Sequence, residues 1–139
     1  VVFEGYTLLK DALVADNAGK AQSSAKEIGK SLDGVDMKLL ENDKAHNHWM
    51  TLQKEIRASA NAIAIATEIA EQRSHFKHLS AHMISTIQLF GINQTVFSNY
   101  CPMADSNNGA YWVSLEKEIR NPYYGEEMLT CGEITATLR

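Results

Sequence analysis

Apolar residues recur at helical spacing in four stretches between residues 2 and 90, and this periodicity constrains the fold more than any other feature. Steps of three and four positions place side chains on one face of a helix. The repeating positions are Phe3, Tyr6, Leu9 and Leu13; Ala21, Ala25, Ile28 and Leu32; Trp49, Leu52, Ile56, Ala60 and Ile63; and Ile69, Phe76, Leu79, Met83, Ile87 and Phe90. The pattern predicts four amphipathic helices, over about 2–15, 18–32, 44–66 and 68–90.

Turn-forming residues separate these stretches. Asp16 or Asn17 can cap the second helix, and Asn42-Asp43 offers a cap for the third. A turn is expected over 33–36, a short helical turn over 37–40, a break near Thr67 and a helix end at Gly91. Short connections between amphipathic helices are typical of an antiparallel four-helix bundle.

The periodicity disappears from Ile92 onward, and we call residues 92–139 the C-terminal hook. Residues 94–100 are predicted to form a short strand or an extended arm, and residues 114–120 a short helix, with turns over 105–109 and 121–125. The fold class predicted is therefore all-α: an antiparallel four-helix bundle with an irregular Cys/Met-containing layer packed on it. We expect one domain over 1–139, with the bundle at 1–91 and the hook at 92–139.

Composition excludes several function classes. The 13 basic residues are scattered among 17 acidic ones, which gives a net charge of −4 and no basic patch for nucleic acid. No apolar run approaches the roughly 20 residues that a membrane span needs, so we expect membrane association only through an upstream segment. The sequence begins Val1-Val2-Phe3, and we expect it to be a processed product. Without a recognisable catalytic motif, we expect no enzyme.

Four sulfur-containing residues mark the hook as the candidate site: Cys101, Met103, Met128 and Cys131. Thiolate and thioether are soft donors that together select Cu(I), so the four residues are candidate ligands for a copper ion. Pro102 stiffens the first pair, and three-residue spacing puts the second pair on one side of a helical turn. The alternatives are a Cys101–Cys131 disulfide with the methionines as packing, or plain core residues.

Histidines on two predicted helices are secondary candidates. His46 and Met50 are four residues apart and share a face at the start of the third helix. His75, His78 and His82 form a stripe beside the apolar face of the fourth helix, with His75 nearest the core edge. Neutral imidazoles can bind zinc or copper. The alternative is that His46 is partly exposed at a helix start and that the stripe is a solvated polar face.

Long segments of the chain resemble an uncharacterised bacterial domain family of unknown function. That family occurs as a stand-alone exported protein and also attached to copper/silver-type efflux adaptor proteins. In the hook the resemblance rests on Tyr100–Ala104, Gly109–Ser114, Glu118–Gly125 and Met128–Glu133; upstream it rests on Leu8–Ala15, on Ala45-His46 with Trp49-Met50, and on Gln72-Arg73 with His75-Phe76 and Leu79-Ser80. Cys101-Pro102-Met103 is also similar to the Cys-Pro-Met-His element of metal-binding modules in efflux systems, although Ala104 here stands in the histidine position.

This resemblance implies an exported, mainly helical domain linked to heavy-metal handling. The first function expected is periplasmic binding of a soft, copper-type metal, with a metal efflux adaptor as the possible partner. The second is a metal-free protein-interaction module, in which a disulfide staples the hook and Tyr111, Trp112, Tyr123 and Tyr124 offer interface aromatics. An enzyme is the third and least supported reading.

Overall fold

The computed structural model describes residues 2–34, 43–92, 94–124 and 128–138. Four long helices are present: α1 (Val2–Val14), α2 (Ala18–Asp33), α3 (Asp43–Ile65) and α4 (Ile69–Phe90). They confirm the four helices predicted from periodicity, with boundaries within a residue or two, and the gap between α3 and α4 confirms the break near Thr67. The turn beyond Gly34, the helical turn over 37–40 and the Asn42 cap fall outside the described residues.

Local chemistry fixes two of the helix boundaries. The Asn17 side-chain Oδ1 accepts a hydrogen bond of 3.0 Å from the Lys20 backbone N–H and so caps α2. The N–H of Gly91 donates to the Ile87 carbonyl at 2.8 Å and closes α4. Gly91 has φ of +76°, a conformation that glycine adopts without steric cost.

The helices pack as successive neighbours, α1 on α2, α2 on α3 and α3 on α4. The predicted apolar stripes supply the core between them, which includes fully buried Tyr6, Leu9, Ile28, Ile56, Ile63, Phe76 and Leu79. Helix makes up 62% of the chain, so the prediction of a mainly helical protein is confirmed. None of the helices in the described ranges is long and apolar enough to cross a membrane.

The hook contains a sheet, and the all-α prediction is wrong there. Strands β1 (Val96–Cys101), β2 (Ala110–Ser114) and β3 (Glu133–Leu138) form an antiparallel sheet in the order β2-β1-β3. The strand considered for 94–100 is therefore present, whereas the helix predicted over 114–120 is not. For β1 the reason is burial: this strand is enclosed on both faces, so it lacks the alternation of apolar and polar residues that indicates a half-buried strand. Strand β3 does alternate, since Ile134, Ala136 and Leu138 are separated by threonines, and the sequence prediction missed this signal.

The sheet packs on the helices through α4 and α1. Trp112 of β2 is buried, and the centroid of its ring lies 6.2 Å from that of Tyr123. The Tyr123 ring centroid lies 5.6 Å from that of Phe76 in α4. The Tyr6 hydroxyl lies 2.7 Å from the Ser80 Oγ of α4 and accepts a 3.0 Å hydrogen bond from the Val113 N–H of β2. One α1 side chain thus contacts a second helix and the sheet.

A partly buried ion pair makes a further link between α1 and the hook. The Lys10 side chain is almost fully buried, and its Nζ lies 2.7 Å from Glu116 and 3.0 Å from Asp11. Burial alone would raise the pKa of Glu116, but the hydrogen bond and positive charge of Lys10 outweigh it and lower that pKa.

Candidate functional site

The two cysteines of the hook are neighbours. Cys101 is the last residue of β1 and is fully buried, while Cys131 precedes β3 and is partly buried. The Cys131 thiol is within hydrogen-bonding reach of the Cys101 sulfur, and both residues are free thiols in this structure. Tyr100 pairs with Glu133, and Gly132 approaches the Tyr100 carbonyl, so the two halves of the hook are adjacent at their cysteines, which the sequence left open.

A left-handed turn follows Cys101 and positions Met103. The short helical element α5 (Ala104–Asn107) contains Asp105, Ser106 and Asn107 at φ values of 54°, 52° and 69°. Asx and serine residues tolerate this region better than most L-residues because their short side chains bond locally. Backbone bonds from Asn107 to the Met103 carbonyl (3.2 Å) and from Gly109 to the Ala104 carbonyl (2.9 Å) close the turn.

Two long side chains hold this turn from outside. Lys77 of α4 donates to Asp105 at 2.7 Å, and this bond lowers the pKa of the Asp105 carboxyl. The Tyr124 hydroxyl donates to the Met103 carbonyl. The Met103 side chain is 44% exposed, so its thioether can be reached from solvent. Ala104, in the position of the histidine of the Cys-Pro-Met-His element, is instead fully buried.

Asn121 makes hydrogen bonds to the segment that contains Cys131. Its side-chain amide donates to the Cys131 carbonyl at 2.8 Å, and its N–H donates to the Leu129 carbonyl at 2.7 Å. A bond of 3.1 Å from the Cys131 N–H to the Met128 carbonyl closes a tight turn, which places Met128 in the same turn as Cys131. Sequence reasoning missed this role for Asn121, although the Asn-Pro turn signal identified its surroundings.

Arg73 anchors the Asn121 turn to the helices, and this residue was also missed as a positioning group. Its Nε donates to the Pro122 carbonyl at 2.8 Å, and its Nη2 donates to the Leu13 carbonyl at 2.8 Å and to Asp16 at 2.5 Å. One guanidinium from α4 thereby connects the hook with the end of α1. A lone basic residue in a predicted helix carries no sequence signal for such a role.

Gly132 allows the backbone next to Cys131 to approach β1. A Cβ atom at this position would lie 2.7 Å from the Trp112 ring and 3.1 Å from the Tyr100 carbonyl oxygen. Its φ of +140° is also one that L-residues rarely adopt. The absent side chain thus brings Cys131 beside the end of β1, where Cys101 lies.

The surroundings of the thiol pair keep Cys131 protonated. Burial raises the pKa of the Cys131 thiol, and the hydrogen bond and charge of Cys101 raise it further, while the Met103 backbone amide opposes them. Because only a thiolate is a strong metal ligand, binding a cation at this pair requires that protons leave.

The histidines lie on the helices. His75 and His46 are both partly buried on α4 and α3, and His82 lies 3.8 Å from Glu55 of α3. Within the described part of the chain, no group of three or more His, Cys, Asp or Glu side chains is arranged to hold a metal. Met103 and Met128 are next to the two cysteines along the backbone: the Met103 amide interacts with the Cys131 thiol, and the Met128 carbonyl accepts from the Cys131 N–H.

Comparison with known proteins identifies one family. A family model described as a protein of unknown function, DUF3347, matches residues 2–95. The match covers the four helices and ends before β1, so of the hook it includes only residues 92–95. No curated protein and no solved structure matches the chain.

Proposed function

The chain belongs to the DUF3347 family of proteins of unknown function, and from that premise we propose that it binds a soft metal ion, Cu(I), in the hook. The observation that carries the proposal is the proximity of Cys101 and Cys131, which follows from the pairing of Tyr100 with Glu133 and from the close approach of Gly132 to the Tyr100 carbonyl. Two adjacent thiolates form a soft donor set of the kind that Cu(I) prefers.

The methionines are the proposed additional ligands. Met103 is two residues from Cys101 and exposed, and Met128 is in the same tight turn as Cys131. A thioether from either residue would complete a three-coordinate sulfur site. His75 and His46 are not required in this proposal, and their substitution should leave affinity unchanged.

The biological setting is also proposed. The resemblance described above implies export and an association with copper/silver-type efflux, so we propose a periplasmic domain that binds copper for an efflux adaptor. The exposure of Met103 supports such a role, because metal exchange with a partner needs at least one accessible ligand.

Reduced, anaerobic protein is expected to bind about one Cu(I) in competition with a chromogenic chelator. The C101S/C131S double variant is expected to lose this binding, because serine oxygen is a hard, protonated donor. Met103→Ala should weaken binding measurably. Met50→Ala is the matched control, since Met50 has the same exposure (45%) but lies on α3. Unchanged affinity in the double variant would rule out the site.

Binding is expected to strengthen as pH rises. Since the pKa of Cys131 is raised, the free thiol is protonated at neutral pH, and each proton released on binding contributes about a tenfold gain in apparent affinity per pH unit. The contribution of Cys131 ends above the raised pKa of its thiol. Competition titrations between pH 6 and 8 measure it; a pH-independent constant, after correction for the chelator's own protonation, would contradict thiolate ligation.

The second candidate is a metal-free interaction module, and the same thiol contact favours it. In an oxidising compartment this pair can form a disulfide that links the end of β1 to the start of β3. The intact mass of an oxidised preparation after treatment with an alkylating reagent distinguishes the two. An unchanged mass favours the Cys101–Cys131 disulfide, and a mass increase of two alkyl groups favours the metal site.

A further inference from the structure

An open apolar groove lies at the end of the helical part where α1 and α3 begin and α2 and α4 end. It has a volume of about 640 Å³, and all four long helices contribute to its lining. The lining includes the half-buried Phe3 and the buried Trp49, Ile56, Met83 and Ile87. The groove therefore gives access to side chains that belong to the hydrophobic core.

The size and lining of this groove suit a small, mainly apolar ligand. Small-molecule sites have volumes of about 300–1,000 Å³, are lined mostly by hydrophobic and aromatic side chains, and occur between the helices of bundles. Apolar cavities bind apolar molecules because water finds too few hydrogen-bonding partners in them. We therefore expect the apolar part of a ligand to be buried against Trp49, Ile56 and Met83.

Lys30 is the one charged residue among the described residues that line the groove. Its side chain is 75% exposed, so the ammonium group stays in contact with water at the rim. The Lys30 Nζ lies 3.5 Å from Glu27, but an ammonium has three donors and can bind a second carboxylate. The Thr86 hydroxyl, also in the lining, already donates to the His82 carbonyl at 2.8 Å. A ligand with an anionic group at one end would match this distribution of charge.

We propose that this groove binds an amphiphile that has an apolar body and a single anionic group, and alkyl carboxylates are the probes of choice. The alkyl chain lies against the apolar lining, and the carboxylate lies at the rim beside Lys30. The thiol pair takes no part, so this site is independent of metal binding.

Isothermal titration calorimetry of the reduced, metal-free chain with octanoate, decanoate and dodecanoate tests the apolar part of the proposal. Each probe is used below the concentration at which it forms micelles. One site per chain is expected, and each added methylene should raise the affinity about fourfold until the groove is full. The absence of binding, or an affinity that does not depend on chain length, would overturn the proposal.

Thr86→Phe places the site in the groove. A phenyl ring at this half-buried position would occupy part of the volume, and decanoate affinity is expected to fall about tenfold or more. Gln88→Phe is the matched control, because Gln88 is exposed on the same helix and does not line this groove. Far-UV circular dichroism checks that both variants are folded. Wild-type affinity in folded Thr86→Phe would show that the probe binds elsewhere and would overturn the assignment.

Lys30→Gln tests the recognition of the anionic group. An exposed ion pair contributes modestly, so decanoate is expected to bind about two- to fivefold more weakly, while decanol should bind as it does to wild type. Lys26→Gln, at an exposed position of the same helix, is the control and should leave both affinities unchanged. Unchanged decanoate affinity in Lys30→Gln, or equal losses for decanoate and decanol, would overturn the role of Lys30 in binding the carboxylate.

Discussion

Replacing Tyr6 with alanine is expected to lower the free energy of unfolding by about 3–5 kcal/mol. The Tyr6 ring is fully buried and stacks on Phe76 at 5.1 Å and on Phe3 at 6.0 Å. Its removal leaves a cavity where α1, α4 and β2 meet. Because all three elements close around one side chain, a neighbouring residue cannot readily fill the space.

The hydroxyl contribution can be separated with Tyr6→Phe. This variant keeps the ring but leaves the Val113 N–H and the Ser80 hydroxyl without their partner, which we expect to cost about 1–3 kcal/mol. Burial raises the pKa of Tyr6, so the phenol stays neutral and both effects should be independent of pH around neutrality.

Urea unfolding measures both variants, followed by far-UV circular dichroism and by the fluorescence of Trp112 in a Trp49→Phe background, because Trp49 of α3 would otherwise contribute to the signal. Leu8→Ala, on the exposed side of the same helix, is the control and should change stability by about 0.5 kcal/mol or less. With Tyr6 in place the two probes should report one transition, because Tyr6 joins the helices to the sheet. Two separate transitions, with only one shifted by Tyr6→Ala, would contradict this coupling.

The helical part was predictable because its residues alternate between core and solvent. Tyr6, Ile28, Ile56 and Phe76 are each buried on one face of a helix, and a helix with one buried face has a readable period. Asn17 and Gly91 added boundary signals that the structure confirms. The spacing of apolar residues and the capping residues were therefore enough to predict the helices, whose stability comes mainly from burying one apolar face.

The sheet was less predictable because its order depends on tertiary contacts. In β1, Ser98 and Asn99 are as buried as Val96, so polarity along the strand does not indicate which way a side chain faces. The Asn99 side chain is accommodated by a 3.0 Å bond to Ser114 of β2, a partner fifteen residues away. Long-range partners of this kind leave no periodic trace in the sequence.

The candidate site was predicted in composition but not in geometry. Cys101, Met103, Met128 and Cys131 were predicted from their soft donor atoms, yet the proximity of the two cysteines depends on Asn121 and Gly132, whose contacts lie across the hook. A glycine just before a strand can serve several structural roles, and the sequence alone does not identify which one applies. Only the packing of Trp112 over Gly132 identifies close approach as the reason here.

Gly132→Ala is therefore expected to destabilise the protein by about 2–6 kcal/mol and to weaken Cu(I) binding. The new methyl group would lie 2.7 Å from the buried Trp112 ring, and overpacking of this kind costs about 1–3 kcal/mol. The φ of +140° adds backbone strain of about 1–3 kcal/mol for a residue with a Cβ. The clash can be relieved by a shift of Trp112 or of the backbone, and either shift moves Cys131 relative to Cys101.

Gly91→Ala separates steric contact from backbone strain. Gly91 also has positive φ, but a Cβ there would meet nothing within 4 Å, so only the backbone strain of about 1–3 kcal/mol is expected. Urea unfolding gives the stability of both variants, and chelator competition gives their Cu(I) affinity under conditions where each is folded. Equal losses for the two glycines would show that Trp112 yields without cost. A destabilised Gly132→Ala variant with wild-type affinity would show that the thiol pair does not hold the metal.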